Sequence, residues 1–218
     1  MSAVRRLTLT FDNGPDSVGT ARVLACLAER DLPGTFFPVG SQIVCPGGRE
    51  MLDAVADAGH RIGNHSMTHA IPLGEDPRPD VVRREIIAMQ ELLGDLAGEE
   101  LLFRPFGKGG LLGPHLFGAD AIAHLTAAQY TVVLWNSVPR DWVDPVGWPA
   151  RVLEDIEQQE WTVVVLHDVV PKAMDLLPSF LDDVSARGIE VTADFPDECI
   201  PIRKGVIRTD LAALTSCR

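Results

Sequence analysis

No apolar run in the 218 residues approaches the ~20 needed to cross a bilayer, so no membrane partner is expected. Nor does the basic start at Arg5-Arg6 lead into an apolar core with a small-residue cleavage site. A strand-like run, Leu7–Phe11, begins at once, which predicts a chain without an export signal that stays in the cytoplasm. Positive charge is scarce: 19 Lys+Arg stand against 31 Asp+Glu, a formal net charge of −12. That balance disfavours nucleic acid, whose phosphates need a basic face, and weighs mildly against anionic polymers. Aromatics are few, with one Tyr and four Trp. Without a long stacking platform, a small molecule or short oligosaccharide is the expected partner. The cysteines Cys26, Cys45, Cys199 and Cys217 lie far apart with no Cys-x-x-Cys. They read as free thiols, a bridge between two of them staying open. There is no Gly-x-Ser-x-Gly elbow, which leaves a serine hydrolase without support. Gly107-Lys108-Gly109-Gly110 lacks the full spacing of a phosphate loop and has Gly109 in place of its hydroxyl residue, so it reads as a rim loop.

Hydrophobic residues make up 46% of the chain and charged residues 23%, evenly spread. This excludes disorder and supports a substantial core within a single domain over residues 1–218. Strand-length apolar runs occur at Leu7–Phe11, Thr35–Val39, His60–Gly63, Leu101–Phe103, Thr131–Trp135, Thr162–Leu166 and Ile189–Thr192. Helical periodicity fills the gaps at Val18–Arg30, Gly48–Gly59, Pro79–Leu96, Phe117–Gln129, Val146–Gln159 and Met174–Arg187. Gly34, Gly59 and Gly188 stand where helices should stop. Such alternation predicts a parallel α/β architecture with right-handed crossovers. The continuous apolar run of Thr162–Leu166 suits a strand covered on both faces. Residues 194–218 lack clear periodicity and read as a closing segment, with a short helix near Thr209–Leu214.

The polar residues fall at strand ends. Leu7–Phe11 runs into Asp12-Asn13-Gly14-Pro15, His60–Gly63 into Asn64-His65-Ser66-Met67-Thr68-His69, and Leu101–Phe103 into Arg104-Pro105-Phe106-Gly107. Thr131–Trp135 is followed by Asn136 and then Arg140-Asp141-Trp142, and Thr162–Leu166 by His167-Asp168. Carboxyl ends of parallel strands form the ligand face of such folds. Five of them therefore deliver an acid, two imidazoles, a guanidinium, a second acid and a third imidazole to one rim. A turn after any one strand is often polar; the combined inventory is not explained that way. His65 and His69 are four apart, so one helical turn would place both rings on one face, a spacing that suits zinc. Two solvated histidines are the plainer reading of that spacing alone. Asn64-His65-Ser66 matches a glycosylation sequon, taken as chance. Glu85, Glu91 and Asp95 read as the solvated face of their helix.

Taken together these segments resemble the polysaccharide deacetylase family, the NodB-homology domain of carbohydrate esterase family four. The likeness spans Leu7 to Thr192. Thr10-Phe11-Asp12-Asn13-Gly14-Pro15 resembles the first family motif, Thr-Phe-Asp-Asp-Gly-Pro, and His65-Ser66-Met67-Thr68-His69 the second, His-Ser/Thr-x-x-His. Arg104-Pro105-Phe106-Gly107 is similar to the third, one residue short. Arg140-Asp141-Trp142 resembles the end of the fourth, with Val138 at its first acidic position, and Leu166-His167-Asp168 resembles the fifth.

The resemblance implies a distorted (β/α)7 barrel and a hydrolase that removes N-acetyl groups from an amino sugar of chitooligosaccharide or peptidoglycan type. Carried onto this sequence, Asp12 would be the general base, steadied by Arg104, and His167 the general acid, oriented by Asp141. His65 and His69 with Asn13 would hold a divalent metal, zinc first, with cobalt, manganese or nickel as alternatives. Trp142 and Leu166 would line the acetyl pocket, and a backbone N–H near Phe106 would meet the oxyanion. Asn13 stands where the family pattern has Asp; an amide oxygen ligates without charge, which predicts weaker metal binding. Two other readings stay open: a hydrolase of a small cyclic imide, ureide or other non-sugar amide on the same scaffold, and a non-catalytic carbohydrate-binding domain.

Overall fold

Leu7, Leu9 and Phe11 alternate with Thr8, Thr10 and Asp12 along β1 (Arg6–Asp12), and a strand must send two such sets to opposite faces. The apolar set joins the main core with Val23, Leu52, Trp148 and Phe180, which lie on surrounding helices. The polar set points inward. The computed structural model describes residues 4–216. Six further strands follow in parallel: β2 (Thr35–Phe37), β3 (Arg61–Ile62), β4 (Leu102–Phe103), β5 (Thr131–Val132), β6 (Trp161–His167) and β7 (Glu190–Val191). The helices are α1 (Gly19–Ala28), α2 (Gly40–Ile43), α3 (Gly48–Asp57), α4 (Ala88–Leu93), α5 (Ala119–Ala127), α6 (Trp148–Gln158), α7 (Pro171–Met174) and α8 (Leu177–Ala186).

Hydrogen bonds run β3-β2-β1-β6 in one sheet and β4-β5 in a second. Two isolated parallel bridges, Asn64 with Phe103 and Ser137 with Val164, join the sheets. The six strands thus close a parallel ring, a distorted α/β barrel, and β7 pairs with the beginning of β1 at Arg6 and Leu7. The second junction is made partly by a side chain. The Asn136 amide donates to Trp161 O at 2.9 Å and accepts from Val163 N–H at 2.7 Å, replacing ladder bonds where β5 stops short.

After β7 the chain packs Phe195, Cys199 and Ile200 against Phe37, Leu102, Val133 and Val163 inside the barrel. The Thr8 hydroxyl, four residues before Asp12, donates to Asp194 O at 2.6 Å, so this packing lies away from the Asp12 end. A hairpin, β8 (Ile202–Arg203) and β9 (Val206–Ile207), then adds antiparallel to β5. Lys204 and Gly205 both have positive φ, the turn that a two-residue hairpin loop requires.

Several sequence expectations need correction. Helix 79–96 is not continuous: a π-helical turn, Val82–Ile87, precedes α4, and a 3-10 turn, Gly94–Ala97, follows it. Helix 174–187 begins instead as α7 and restarts as α8, where Pro178 sits in a first turn and its missing N–H costs nothing. Residues 209–214 yield only a 3-10 turn at Ala212–Leu214. Gly188 ends α8 with a left-handed φ of 66°. Gly34 ends no helix; a Cβ there would come within 2.9 Å of Leu27 Cδ1, so it serves close packing. Among the described residues no helix is long and apolar enough to cross a membrane. Cys26, Cys45 and Cys199 are free, and Cys217 lies outside the described residues.

Candidate active site

Asp12, at the end of β1, opens onto a cavity of about 350 Å³ that also takes in Asn13, His65, His69, Phe106 and His167. Arg104 lies beneath it with no exposed surface. Its Nη1 donates to Asp12 Oδ1 at 2.9 Å and to the Thr10 hydroxyl at 2.6 Å. Its other nitrogens reach Val133 O and Leu134 O, and the guanidinium covers the Phe37 ring at 4.1 Å. Burial pushes the Asp12 carboxyl up, but Arg104, His65 and His167 outweigh it and hold the group below its ordinary range. Asp12 is therefore anionic at neutral pH.

His65 Nδ1 lies 2.8 Å from Arg104 O. A carbonyl only accepts, so Nδ1 carries the proton and the Nε2 lone pair is left free, 3.5 Å from Asp12 Oδ2. The His69 ring stands 4.7 Å from that of His65 and 3.8 Å from that of Phe106. Burial lowers both imidazoles, and burial followed by the His65 neighbour takes His69 down to about 3. Both imidazoles are neutral at pH 7 and could act as ligands. The expected helical turn is absent. Residues 64–69 form an irregular loop, with left-handed backbone at Ser66 (φ 69°) and His69 (φ 51°) bringing the rings together.

Asn13 also has a left-handed φ of 74°, and its buried Oδ1 has no hydrogen-bond partner among the described residues. An orphaned amide oxygen costs free energy unless something meets it. Among the described residues no three His, Cys, Asp or Glu are grouped to hold a metal. The donors on hand are two neutral imidazoles and this oxygen, a set that fits a divalent cation.

His167 closes β6. Its Nδ1 lies 2.8 Å from Asp141 Oδ1, and its backbone N–H donates to Asp141 Oδ2 at 2.8 Å. Burial alone would lower this imidazole, yet the hydrogen bond and charge of fully buried Asp141 raise it above its ordinary value. The Trp142 ring stands edge-on to it at 4.7 Å and lines the cavity. Leu166 does not reach the cavity. Strand alternation turns it outward into the helix-packed core, while Val165 and His167 face in.

Asn64 is fully buried, its amide donating to Ile86 O at 2.9 Å, which agrees with a chance sequon. One further reading changes. Glu85 is only 2% exposed, and its carboxylate accepts from Thr68 rather than facing solvent.

The model of the family described as polysaccharide deacetylase matches residues 2–111. A chitooligosaccharide deacetylase of Rhizobium leguminosarum bv. phaseoli is 31% identical over 76% of this chain and 69% of its own. The chain belongs to the polysaccharide deacetylase family. That makes it a hydrolase of carbon–nitrogen bonds. A peptidoglycan-N-acetylglucosamine deacetylase of Bacillus cereus is 30% identical, over 74% of this chain and 72% of its own. Among solved structures, a polysaccharide deacetylase from Bacillus cereus superimposes with a TM-score of 0.71 at 23% identity, covering 91% of this chain and 96% of that one. A Bacillus anthracis pseudoenzyme shares the fold equally well, at a TM-score of 0.71 and 19% identity over 86% of this chain and 63% of its own. Fold alone therefore does not decide activity in polysaccharide deacetylases; the side chains must.

In this member of the family some cavity walls were not legible as functional. Trp135 reads in sequence as a strand residue, yet its Nε1 donates to Gly110 O at 2.9 Å and pins the rim loop. Its ring would meet a Cβ on Gly107 at 2.4 Å. Val165, Val169 and Val170 complete the wall, with only their nearness to a strand end as a signal.

Proposed function

We propose that the protein is a metal-dependent deacetylase that hydrolyses the N-acetyl group of an amino sugar. One observation carries the reading: a carboxylate kept anionic by Arg104 and an imidazole whose charged form Asp141 favours line the same cavity. Amide hydrolysis needs that pair, one group to accept a proton and one to give one at the same pH. The chitooligosaccharide and peptidoglycan substrates named for the relatives support the sugar.

Asn13, His65 and His69 would hold the divalent metal, zinc first, with cobalt, manganese or nickel as alternatives; bound there, it would polarise the acetyl carbonyl and acidify the attacking water. Asp12 accepts a proton from that water as it adds to the carbonyl carbon. Phe106 lines the cavity, and a backbone N–H near it is the candidate donor to the developing oxyanion. His167 gives up a proton to the nitrogen as the C–N bond breaks, so the products are acetate and a free amine. Trp142 and Phe106 supply apolar surface beside the acetyl group.

A second reading, hydrolysis of a small non-sugar amide, draws on Val138, Val165, Val169 and Val170, which offer sugar hydroxyls no partners on that side. Acetate release separates the two. N-acetylated chitooligosaccharide incubated with chelator-dialysed protein should yield no acetate, and added zinc or cobalt should restore release. Absence of acetate under every metal would remove the sugar reading, and full release by metal-free protein would remove the metal.

A further inference from the structure

The mechanism leaves the buried acid Glu85 unused. Glu85 lies in the π-helical turn Val82–Ile87 and is 2% exposed. We infer that Glu85, acting through Thr68, is the positioning residue that fixes the 64–69 loop in its metal-binding shape, with the π-helical turn as the template for that loop. The inference rests on the metal-binding reading of Asn13, His65 and His69.

The turn and the loop meet through consecutive groups. Glu85 Oε2 accepts the Thr68 N–H at 2.9 Å, and Oε1 accepts the Thr68 hydroxyl at 2.8 Å. Glu85 O accepts the Met67 N–H at 2.9 Å, and Ile86 O accepts Asn64 Nδ2 at the same distance. A π turn interrupts the regular i to i+4 ladder, so carbonyls on its flank become available to outside donors. Asn64 passes the restraint on: its Oδ1 accepts the Ser66 N–H at 3.0 Å, and the Ser66 hydroxyl accepts the His69 N–H at 3.1 Å.

The two candidate ligands are not held alike. The His65 ring is fixed by its own bond to Arg104 O. His69 depends on a left-handed backbone, φ 51°, that a side-chain-bearing residue keeps only when its surroundings impose it. Thr68, held by Glu85, is the residue immediately before it. The chemistry also explains an acid at position 85. Thr68 offers two donors, and Arg78 Nη2 a third at 3.3 Å from Oε1. A carboxylate accepts all of these, whereas a glutamine would turn an NH₂ toward one of them.

The test is titration of the full chain with cobalt(II), read by visible absorption, with zinc competition for affinity and far-UV circular dichroism for fold. Wild type should take up one equivalent. Glu85→Gln and Thr68→Val should each weaken metal affinity by roughly 10–100-fold, the usual effect of losing a partner that orients a ligand, and alter the cobalt spectrum. Thr68→Ser should restore both. Thr68→Val changes no charge, so its loss would separate positioning from simple attraction, and it decides the matter should Glu85 variants fail to fold. Folded Glu85→Gln and Thr68→Val proteins with wild-type affinity and spectrum would overturn the inference. A wild-type chain that takes up no cobalt would instead overturn the metal reading, and this inference with it.

Discussion

Asp12 with Arg104 and His167 with Asp141 are pairs of the same kind set to opposite ends: one keeps an acid anionic, the other favours the protonated form of a base. His167 is a proton donor only while charged, so activity should fall as pH rises through its raised value. Asp141→Asn removes the charge that raises it. The alkaline limb of kcat/KM should then move to lower pH, with a rate loss on the order of 10²-fold above it; an unmoved limb in a pH profile would contradict the role. At Asn13 the prediction is a gain. Asp tolerates the left-handed backbone there, and an anionic ligand should tighten metal binding by roughly tenfold or more, measured by competition with a chelator. Unchanged affinity would mean that residue 13 does not coordinate. Asp12, Arg104 and His167 were legible because each directly follows an apolar run whose end faces the rim, and Asp141 because Arg140-Asp141-Trp142 resembles the fourth family motif. Leu166 was not, since the alternation of β6 decides its side and a continuous apolar run hides alternation. Glu85 did leave a trace: it lies three residues after Val82 and four before Met89, and so falls on the apolar stripe rather than opposite it.

At the scale of elements, the seven parallel strands stand where apolar runs predicted them, although β3, β4, β5 and β7 keep only two residues each in the ladder. Short ladders leave the barrel reliant on side-chain links, which periodicity cannot reveal. Asn136 is one. Asn136→Ala would leave Trp161 O and the Val163 N–H without the amide that joins β5 to β6. The cost should be about 2–4 kcal/mol, from two polar groups left short of a partner. Urea unfolding should show it as a lower midpoint at unchanged slope; an unaltered midpoint would mean that water or backbone replaces the amide. The hairpin of β8 and β9 was illegible for another reason. Lys204-Gly205 is not among the strong turn pairs, and two-residue strands carry too little alternation to register.

Across the whole molecule, one buried acid ties the β6 end to the first turn of α1. Asp168 Oδ2 accepts the Thr20 hydroxyl at 2.5 Å, and a Cβ on Gly14 would fall 2.3 Å from that same oxygen. Burial, opposed by Thr20 and His167, pushes its carboxyl up from 3.8 to about 7. A folded value above the unfolded one contributes stability that is full below about pH 4 and lost as pH rises through about 7. Asp168→Asn removes that loss. Its stability relative to wild type should rise between pH 4 and pH 8 by a few kcal/mol, on the order of the shift itself; unfolding curves that stay parallel across this range would contradict it. The same closure of the ring gathers distant strand ends into one cavity, and the proposed chemistry depends on what that cavity holds. The most direct measurement is an anomalous difference map from crystals grown with zinc or cobalt. A single peak bounded by His65 Nε2, the His69 ring and Asn13 Oδ1 is the predicted result. An empty map there at saturating metal, or a peak that excludes His65 and His69, would contradict the account.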